Sequence, residues 1–292
     1  MKIRFGYEMV YMIPQSTPMI VLLSAQPNST QQLLIADQLR TTPHVPSKQY
    51  RDCHGNHCIR FVAPAGSLRM TTDALLNDSG VPEPAARSAR EYSISELPEE
   101  AMMYLLPSRY CESDVLAHEA RRLFGHLPPG WSRVQAICDF VNQHVSFGYP
   151  YARFTKTALD TYRERQGVCR DFAHLAIAFC RSLHIPARYT TSYLGDIDVP
   201  VVDAPMDFAA AMEVYLGGAW HSFDPRNNAR RIGRLVIARG RDAADVAIST
   251  AFGPSPLQLF RVWIDEIGDE EALQLMAERS AQKEEAAAAE AA

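Results

Sequence analysis

The 292-residue sequence has no apolar run of about 18 residues, the length that a membrane-spanning helix requires. It also lacks a surplus of basic residues, because 29 Lys and Arg face 34 Asp and Glu, for a formal net charge of −5. The local basic cluster from Arg226 to Arg241 is interpreted as a solvated face rather than a phosphate site. We therefore expect neither a nucleic acid nor a membrane as partner.

Cysteine is sparse and irregularly spaced, so the sequence contains no disulfide framework. Residues 1–26 lack the continuous apolar core and the small-residue cleavage site of a signal peptide. We therefore expect a cytoplasmic location with reduced thiols. The oligomeric state is left open by the sequence. The six cysteines are Cys53, Cys58, Cys111, Cys138, Cys169 and Cys180.

The periodicity of the sequence changes near residue 106. Residues 1–106 alternate apolar and polar positions in short runs, which predicts an antiparallel β sandwich. Residues 107–267 first show helical spacing and then a series of strands. Residues 268–292 are rich in Ala and Glu, which is typical of a frayed helix or a disordered tail. These blocks predict an α+β fold with two structured units and a tail.

Four potential metal ligands lie within the six residues from Cys53 to Cys58. Structural zinc sites usually take two ligands from each of two separated turns, and six consecutive residues rarely surround one ion. The polar Gly-Asn centre instead predicts a hairpin whose flanking cysteines face each other. We expect no metal and no cofactor.

Cys169 follows Gly167 and lies at the start of a strong helical pattern that ends at Pro186. The helix dipole at this position would stabilise a thiolate and lower the pKa of the thiol below about 8.5. The first-turn N–H groups, including that of Cys169, could also hold an oxyanion. Cys169 is therefore interpreted as a nucleophile, and Arg170 with Asp171 as an ion pair or a dipole partner at the helix start.

This chain resembles the bacterial transglutaminase-like family over residues 130–230, where it reads TYRERQGVCRDFAHLAIAFCRSLHIPARY, then EVYL and WHSFDP. Residues 1–106 resemble the β-rich domain that precedes the core in that family. The resemblance implies a papain-like core with a Cys-His-Asp triad acting on a peptide or protein substrate. It also implies that the thiol forms a thioester with an amide-type carbonyl, which an amine or water then resolves.

The histidine of the family pattern is replaced in this chain. The family has a D-F-H-A-W arrangement before EVYL, and here Ala209 stands at the histidine and Ala211 at the aromatic position. Both alanines lie on one face of a strand, so the site loses its base and gains room. The resemblance places the triad's acid at Asp224.

Other histidines could supply the base. His221 is ranked first, although a regular strand would point it away from the face of Asp224, so that a bulge would be needed. His144, at the end of a predicted helix, is ranked second. His174 and His184 are interpreted as structural residues of the Cys169 helix.

Three outcomes remain open at this point: a base from elsewhere, a substrate with a better leaving group, or loss of turnover. A missing general acid costs about 10² to 10⁴ in rate. The first hypothesis is cysteine-dependent acyl transfer or hydrolysis on a peptide or protein amide. The alternative is a catalytically degenerate peptide-binding or protein-binding module. In either case Tyr149, Tyr151 and Tyr193 are predicted to flank the cleft together with Ala211.

Overall fold

The computed structural model describes residues 1–201 and 205–291, without the side chains of residues 283 and 285–291. Its strands are β1 (Lys2–Ile13), β2 (Thr17–Val21), β3 (Gln32–Ile35), β4 (Arg40–Thr42), β5 (Ser47–Arg51), β6 (His57–Ala63), β7 (Gly66–Asn77), β8 (Ser146–Phe147), β9 (Gln166–Gly167), β10 (Ala187–Tyr193), β11 (Ala209–Leu216), β12 (Ala219–Phe223), β13 (Leu235–Gly240), β14 (Ser249–Ala251) and β15 (Leu257–Ile267). Its α-helices are α1 (Glu99–Met102), α2 (Ala117–Phe124), α3 (Trp131–His144), α4 (Ala158–Glu164), α5 (Cys169–Ser182) and α6 (Asp269–Ala291). Short 3₁₀ turns cover Ile94–Glu96, Met103–Leu105 and Tyr149–Tyr151.

Two antiparallel sheets form the N-terminal region. One has the order β15-β1-β7-β3 with β4 also beside β7, and the other has the order β14-β2-β6-β5. Strand β1 explains why this region folds as a sheet, because every second residue is apolar and buried. These residues are Ile3, Phe5, Tyr7, Met9, Tyr11 and Ile13.

Helix α5 is the centre of the second region. It is apolar on nearly all sides and is buried from Asp171 to Ser182, as expected for a helix enclosed by neighbours. Helices α2, α3 and α4 and strands β10 and β11 all contact it. The antiparallel sheet β12-β11-β10-β13 completes this region. The predicted α+β fold, with helices followed by an antiparallel sheet, is confirmed.

The strands near the C-terminus differ from the prediction, which placed residues 107–267 in one unit. β14 pairs with β2, and β15 pairs with β1 over most of its length, so residues 249–267 complete the N-terminal sheets. Sequence order could not reveal this, because strand periodicity carries no information about the partner strand. The chain thus returns to the N-terminal region after forming the core.

The Ala/Glu-rich tail forms helix α6, one of the two alternatives predicted for it. Its first half lies on the N-terminal sheet, where Ala272 is buried against Ile35 and Leu75. Arg279 also donates a hydrogen bond to Asp73 at 3.1 Å. Among the helices in the described ranges, none is both long enough and apolar enough to cross a bilayer.

Candidate functional site

The residues around Cys169 hold the start of α5 in place. The Asp171 carboxylate accepts a hydrogen bond from the backbone N–H of Val168 at 2.9 Å, so a first-turn side chain satisfies the helix start. Gly167 permits this approach, because a Cβ atom there would lie 2.7 Å from the Cβ of Asp171. Arg170 pairs with the same carboxylate at 3.2 Å. This local geometry makes Cys169 the first residue of the helix.

The Cys169 thiol lies in a half-buried position with charges of both signs around it. Burial is the largest influence and raises the pKa of the thiol, and the charges of Asp207 and Asp224 raise it as well. The backbone N–H of Ala210 and the guanidinium of Arg226 act in the opposite direction without reversing the shift. The expectation of a lowered pKa was therefore wrong, because desolvation of the thiolate outweighs the Ala210 N–H and the Arg226 guanidinium.

Ala209 is the first residue of β11 and pairs with Ser192 of β10. Its methyl group can accept no proton, and the Ser192 hydroxyl donates to the Ala209 carbonyl at 3.2 Å. Ala211, two residues further, is fully buried. Ala211 therefore does not line a cleft, which corrects the prediction for that residue: the surrounding side chains leave no open space at this position.

The Asp224 carboxylate is buried and fully occupied by donors. One oxygen accepts the backbone N–H groups of Arg226 and Asn227 at 3.1 and 2.9 Å. The other accepts the side-chain amide of Asn227 at 2.7 Å and the guanidinium of Arg234. A carboxylate offers about four lone-pair positions. Asp224 therefore has no lone pair left to orient an imidazole unless one of these donors leaves.

His221 does not face the thiol. In the β11–β12 pair it lies opposite Val214, and its Nε2 is 3.1 Å from the carbonyl oxygen of Leu216. Its ring packs against Trp131 at a centroid distance of 5.5 Å. Val214 is four residues beyond Ala210, whose N–H interacts with the thiol, or roughly 13 Å along an extended strand. The prediction of His221 as the base is corrected accordingly.

The other histidine candidates are also occupied elsewhere. The Nε2 of His144 lies 2.8 Å from the carbonyl oxygen of Tyr162. His174 is fully buried, and its Nε2 accepts the backbone N–H of Ala243 at 3.1 Å. Burial, and secondarily the positive charges of Arg170 and Arg181, lower the pKa of His174 well below its ordinary value. All nine histidines fall within residues 1–201 and 205–291, and there none of them hydrogen-bonds the Cys169 thiol.

An exposed aromatic segment, residues 147–154, borders Cys169. Strand β8 pairs with β9, and the Gly148 N–H donates to the Gly167 carbonyl at 3.0 Å, which places the segment beside the start of α5. The guanidinium of Arg226 lies 4.0 Å from the centre of the Phe147 ring. The exposed fractions are 37% for Phe147, 55% for Tyr149, 38% for Tyr151 and 90% for Phe154.

Tyr193 does not belong to this surface. It is fully buried, and its ring lies 5.1 Å from the rings of both Phe5 and Phe208. The prediction that Tyr193 flanks the cleft is therefore wrong, because this residue joins the core between the two regions of the chain. The sequence reasoning also missed Phe147 and Phe154, although the spacing F-x-Y-x-Y-x-x-F over residues 147–154 was visible.

The predicted hairpin at Cys53–Cys58 is present between β5 and β6. The cysteines do not face each other, since Cys58 lies opposite Tyr50 and Cys53 lies in the turn. His54 is engaged on both nitrogens, by the Tyr104 hydroxyl at 2.9 Å and by Asp245 at 3.2 Å. Over residues 1–201 and 205–291, no group of three or more His, Cys, Asp or Glu is arranged to hold a metal ion.

Comparisons with known proteins agree with this fold. The family model of the transglutaminase-like superfamily matches residues 118–225. The fold is similar to the crystal structure of a candidate cysteine protease from Cytophaga hutchinsonii, with a TM-score of 0.79 and 32% identity over 92% of this chain and 91% of that chain. The sequence is 26% identical to protein ML0607 of Mycobacterium leprae over 231 residues, 75% of this chain and 81% of that protein. It is 37% identical to Rv2569c of Mycobacterium tuberculosis over 91 residues, 28% of this chain and 29% of that protein.

Proposed function

The chain belongs to the transglutaminase-like superfamily, and from this premise we propose that it binds an extended peptide or protein segment in front of Cys169 without efficient turnover of amides. The proposal is supported by Ala209, which has no group to accept a proton at the position where the resemblance places the family's histidine. It is also supported by the carboxylate of Asp224, which other donors saturate.

Amide cleavage by a thiol needs two proton transfers. A base must generate the thiolate, and an acid must then protonate the departing amine. Burial raises the pKa of the Cys169 thiol, which opposes the first transfer. Arg226, the cation near the thiol, offers only hydrogen-bond donors and no lone pair that could accept the thiol proton. Both transfers are therefore unsupported, which favours binding over catalysis.

The aromatic segment supplies a surface suited to an extended chain. Exposed aromatic rings give large contact areas at low cost in side-chain entropy and dominate many peptide interfaces. Tyr149 lies within electrostatic range of both Cys169 and Asp207, so the segment and the thiol belong to one surface. Burial, followed by the charge of Asp207, raises the pKa of Tyr149. A peptide lying across this surface would contact the rings and pass the thiol.

We expect a phage-displayed library of random peptides to yield binders that lose affinity about tenfold or more in the double variant Tyr149→Ala and Phe154→Ala, since truncated interface aromatics cost this much or more. Affinity for the selected peptides is measured by isothermal titration calorimetry. Phe252→Ala removes a ring that is 64% exposed beside the N-terminal sheets and serves as the control. Equal loss in the double variant and the control, or no selectable peptide, would contradict the proposal.

A second candidate function is acyl transfer from an activated ester or thioester. It is favoured by the half-buried thiol at the helix start, where the Ala210 N–H and Arg226 offset part of the rise in the thiol's pKa. The Cys169 thiol would first lose its proton to water, and the thiolate would then attack the carbonyl carbon. The leaving group would depart as a stable anion with the bonding electron pair, without needing a proton from the protein. Water or an amine would then release the acyl group.

The reactivity of Cys169 separates the two candidates. At pH 7 we expect iodoacetamide to alkylate Cys169 more slowly than the exposed Cys53, because only the thiolate reacts and burial raises the pKa of the Cys169 thiol. The rate at Cys169 should rise with pH as the pH approaches that raised pKa. Peptide mapping by mass spectrometry measures both rates in one sample. Faster alkylation at Cys169 than at Cys53 at pH 7 would favour acyl transfer.

A further inference from the structure

A cavity of about 530 Å³ lies where the N-terminal region meets the core, within the size range of small-molecule sites. N-terminal residues 26–31 and 78–87 form one side, and residues of α3, β12 and the chain leading into β13 form the other. Cys169, Tyr149 and Arg226 do not line it. This cavity therefore lies beside the surface proposed to bind a peptide rather than on it, and Asp224 lies between the two.

The cavity wall carries more arginines than free carboxylates. It contains five arginines, Arg87, Arg230, Arg231, Arg234 and Arg239, and four acids, Asp78, Glu83, Glu213 and Asp224. Two of its three buried acids are already neutralised, Asp224 by Arg234 and Glu213 by Arg239 together with Arg188. The sequence suggested a solvated face for the cluster from Arg226 to Arg241, and four of its arginines line this cavity instead.

Arg231 is the most notable of these arginines. Its side chain is only 10% exposed, and its Nη2 donates to the Gly195 carbonyl at 2.7 Å and lies 3.5 Å from the Asp196 carboxylate. Its Nε is buried and has no hydrogen-bond partner among the described residues. Buried donors without a partner are rare and costly, and an oxyanion drawn against this guanidinium would relieve the cost.

The cavity is also lined by aromatic rings. The rings of Trp131 and Phe223 lie 4.6 Å apart, and the ring of His221 packs against Trp131. All three residues line the cavity. Such a wall suits a planar apolar group, whereas guanidinium groups suit a carboxylate or a phosphate.

We propose that this cavity binds a small molecule that carries an oxyanion on a planar apolar group. The oxyanion lies against Arg231, and the planar part lies against Trp131 and Phe223. The site takes a free ligand from solution and is independent of the peptide surface.

Isothermal titration calorimetry with benzoate, phenyl phosphate and benzamide tests the proposal on the full chain. We expect benzoate or phenyl phosphate to bind and the uncharged benzamide to bind at least about tenfold more weakly, since a charge-assisted hydrogen bond is worth about this much. The tighter of the two anions identifies whether the natural ligand carries a carboxylate or a phosphate. Binding of benzamide as tight as that of the anions, or binding of neither anion, would overturn the proposal.

Variants locate the site. Arg231→Gln should weaken binding of the tighter anion at least about tenfold, whereas Arg121→Gln should leave it unchanged, because Arg121 is an exposed residue of α2 that bonds only its own helix. If Arg231→Gln does not fold, the exposed Arg87→Gln provides the same test with a smaller loss. Equal affinity in the cavity variant and the Arg121 control would place the ligand elsewhere. Protection of Cys169 from iodoacetamide by the anion would show that it binds the peptide surface instead, and would also overturn the proposal.

Discussion

Replacing Ala209 with histidine is expected to raise the rate of peptide-bond cleavage by about 10²-fold, the lower end of what general acid–base catalysis contributes. The new imidazole would extend from the first residue of β11, next to Ala210, whose N–H interacts with the Cys169 thiol. It could accept the thiol proton and return it to the departing amine. The gain should stay at the lower end, because the donors that saturate Asp224 leave it unable to orient the imidazole.

Release of dye-labelled peptides from casein measures this gain. Ala209→Gln, which has similar bulk but no basic nitrogen, is the matched control, and Ala209→His combined with Cys169→Ala should be inactive. Adding Arg234→Gln to Ala209→His removes one donor from Asp224 and should raise the rate further. If Ala209→His folds and shows no more activity than Ala209→Gln, the proposal that the missing base is what prevents turnover is wrong.

Part of this site was predictable from the sequence because its determinants are local. Gly167, Cys169 and Asp171 lie within five residues, and their types alone indicate a helix that starts at the cysteine. The position of Ala209 relative to EVYL is equally local. The family resemblance rests on such short stretches and is confirmed by the comparisons.

The pairing of the Asp224 carboxylate with Arg234 was not predictable from the sequence, because it depends on the order of strands in the sheet. Asp224 follows β12 and Arg234 precedes β13, and these strands lie at opposite edges of the sheet β12-β11-β10-β13. The connection between them brings Arg234 back to Asp224. No periodicity in the sequence indicates this crossing.

The direction of the pKa shift of the Cys169 thiol was predicted wrongly for a related reason. The helix start is visible in the sequence, and its effect on the pKa of Cys169 is favourable to the thiolate. Burial depends on how Cys169 packs among Ala210, Asp207 and other residues that are distant in the chain, and it raises the pKa. The sequence reveals the helix start, which lowers the pKa of Cys169, but not the burial, which raises it. The direction of the net shift therefore depends on long-range packing.

The glutamate of the EVYL stretch, Glu213, is expected to contribute strongly to stability. It is buried between two arginines: Arg188 donates to it at 2.6 Å, and Arg239 donates at 2.9 Å. Glu213→Gln would leave two buried guanidinium groups without a counter-charge. Breaking a buried ion pair by removing one partner costs about 3–5 kcal/mol. We expect the free energy of unfolding to fall by about that amount at pH 7.

The pH dependence gives this prediction a second, independent readout. Burial alone would raise the pKa of Glu213, but the charges and hydrogen bonds of Arg239 and Arg188 outweigh burial and hold the pKa below its ordinary value. A carboxylate whose folded-state pKa is lowered stabilises the protein above the unfolded-state pKa, about 4.3 for glutamate, and loses that contribution as the pH falls through the folded-state pKa. The difference between wild type and Glu213→Gln should therefore be constant near neutrality and shrink below about pH 4.

Urea denaturation at a series of pH values measures both effects. Glu96→Gln is the control, because Glu96 pairs with Arg90 at 3.0 Å on the exposed surface, where solvent screens the charges. A loss in Glu213→Gln no larger than in Glu96→Gln would mean that the arginines find other partners when the glutamate is neutralised. A difference that persists unchanged below pH 4 would show that the loss comes from altered packing rather than from the charge of Glu213.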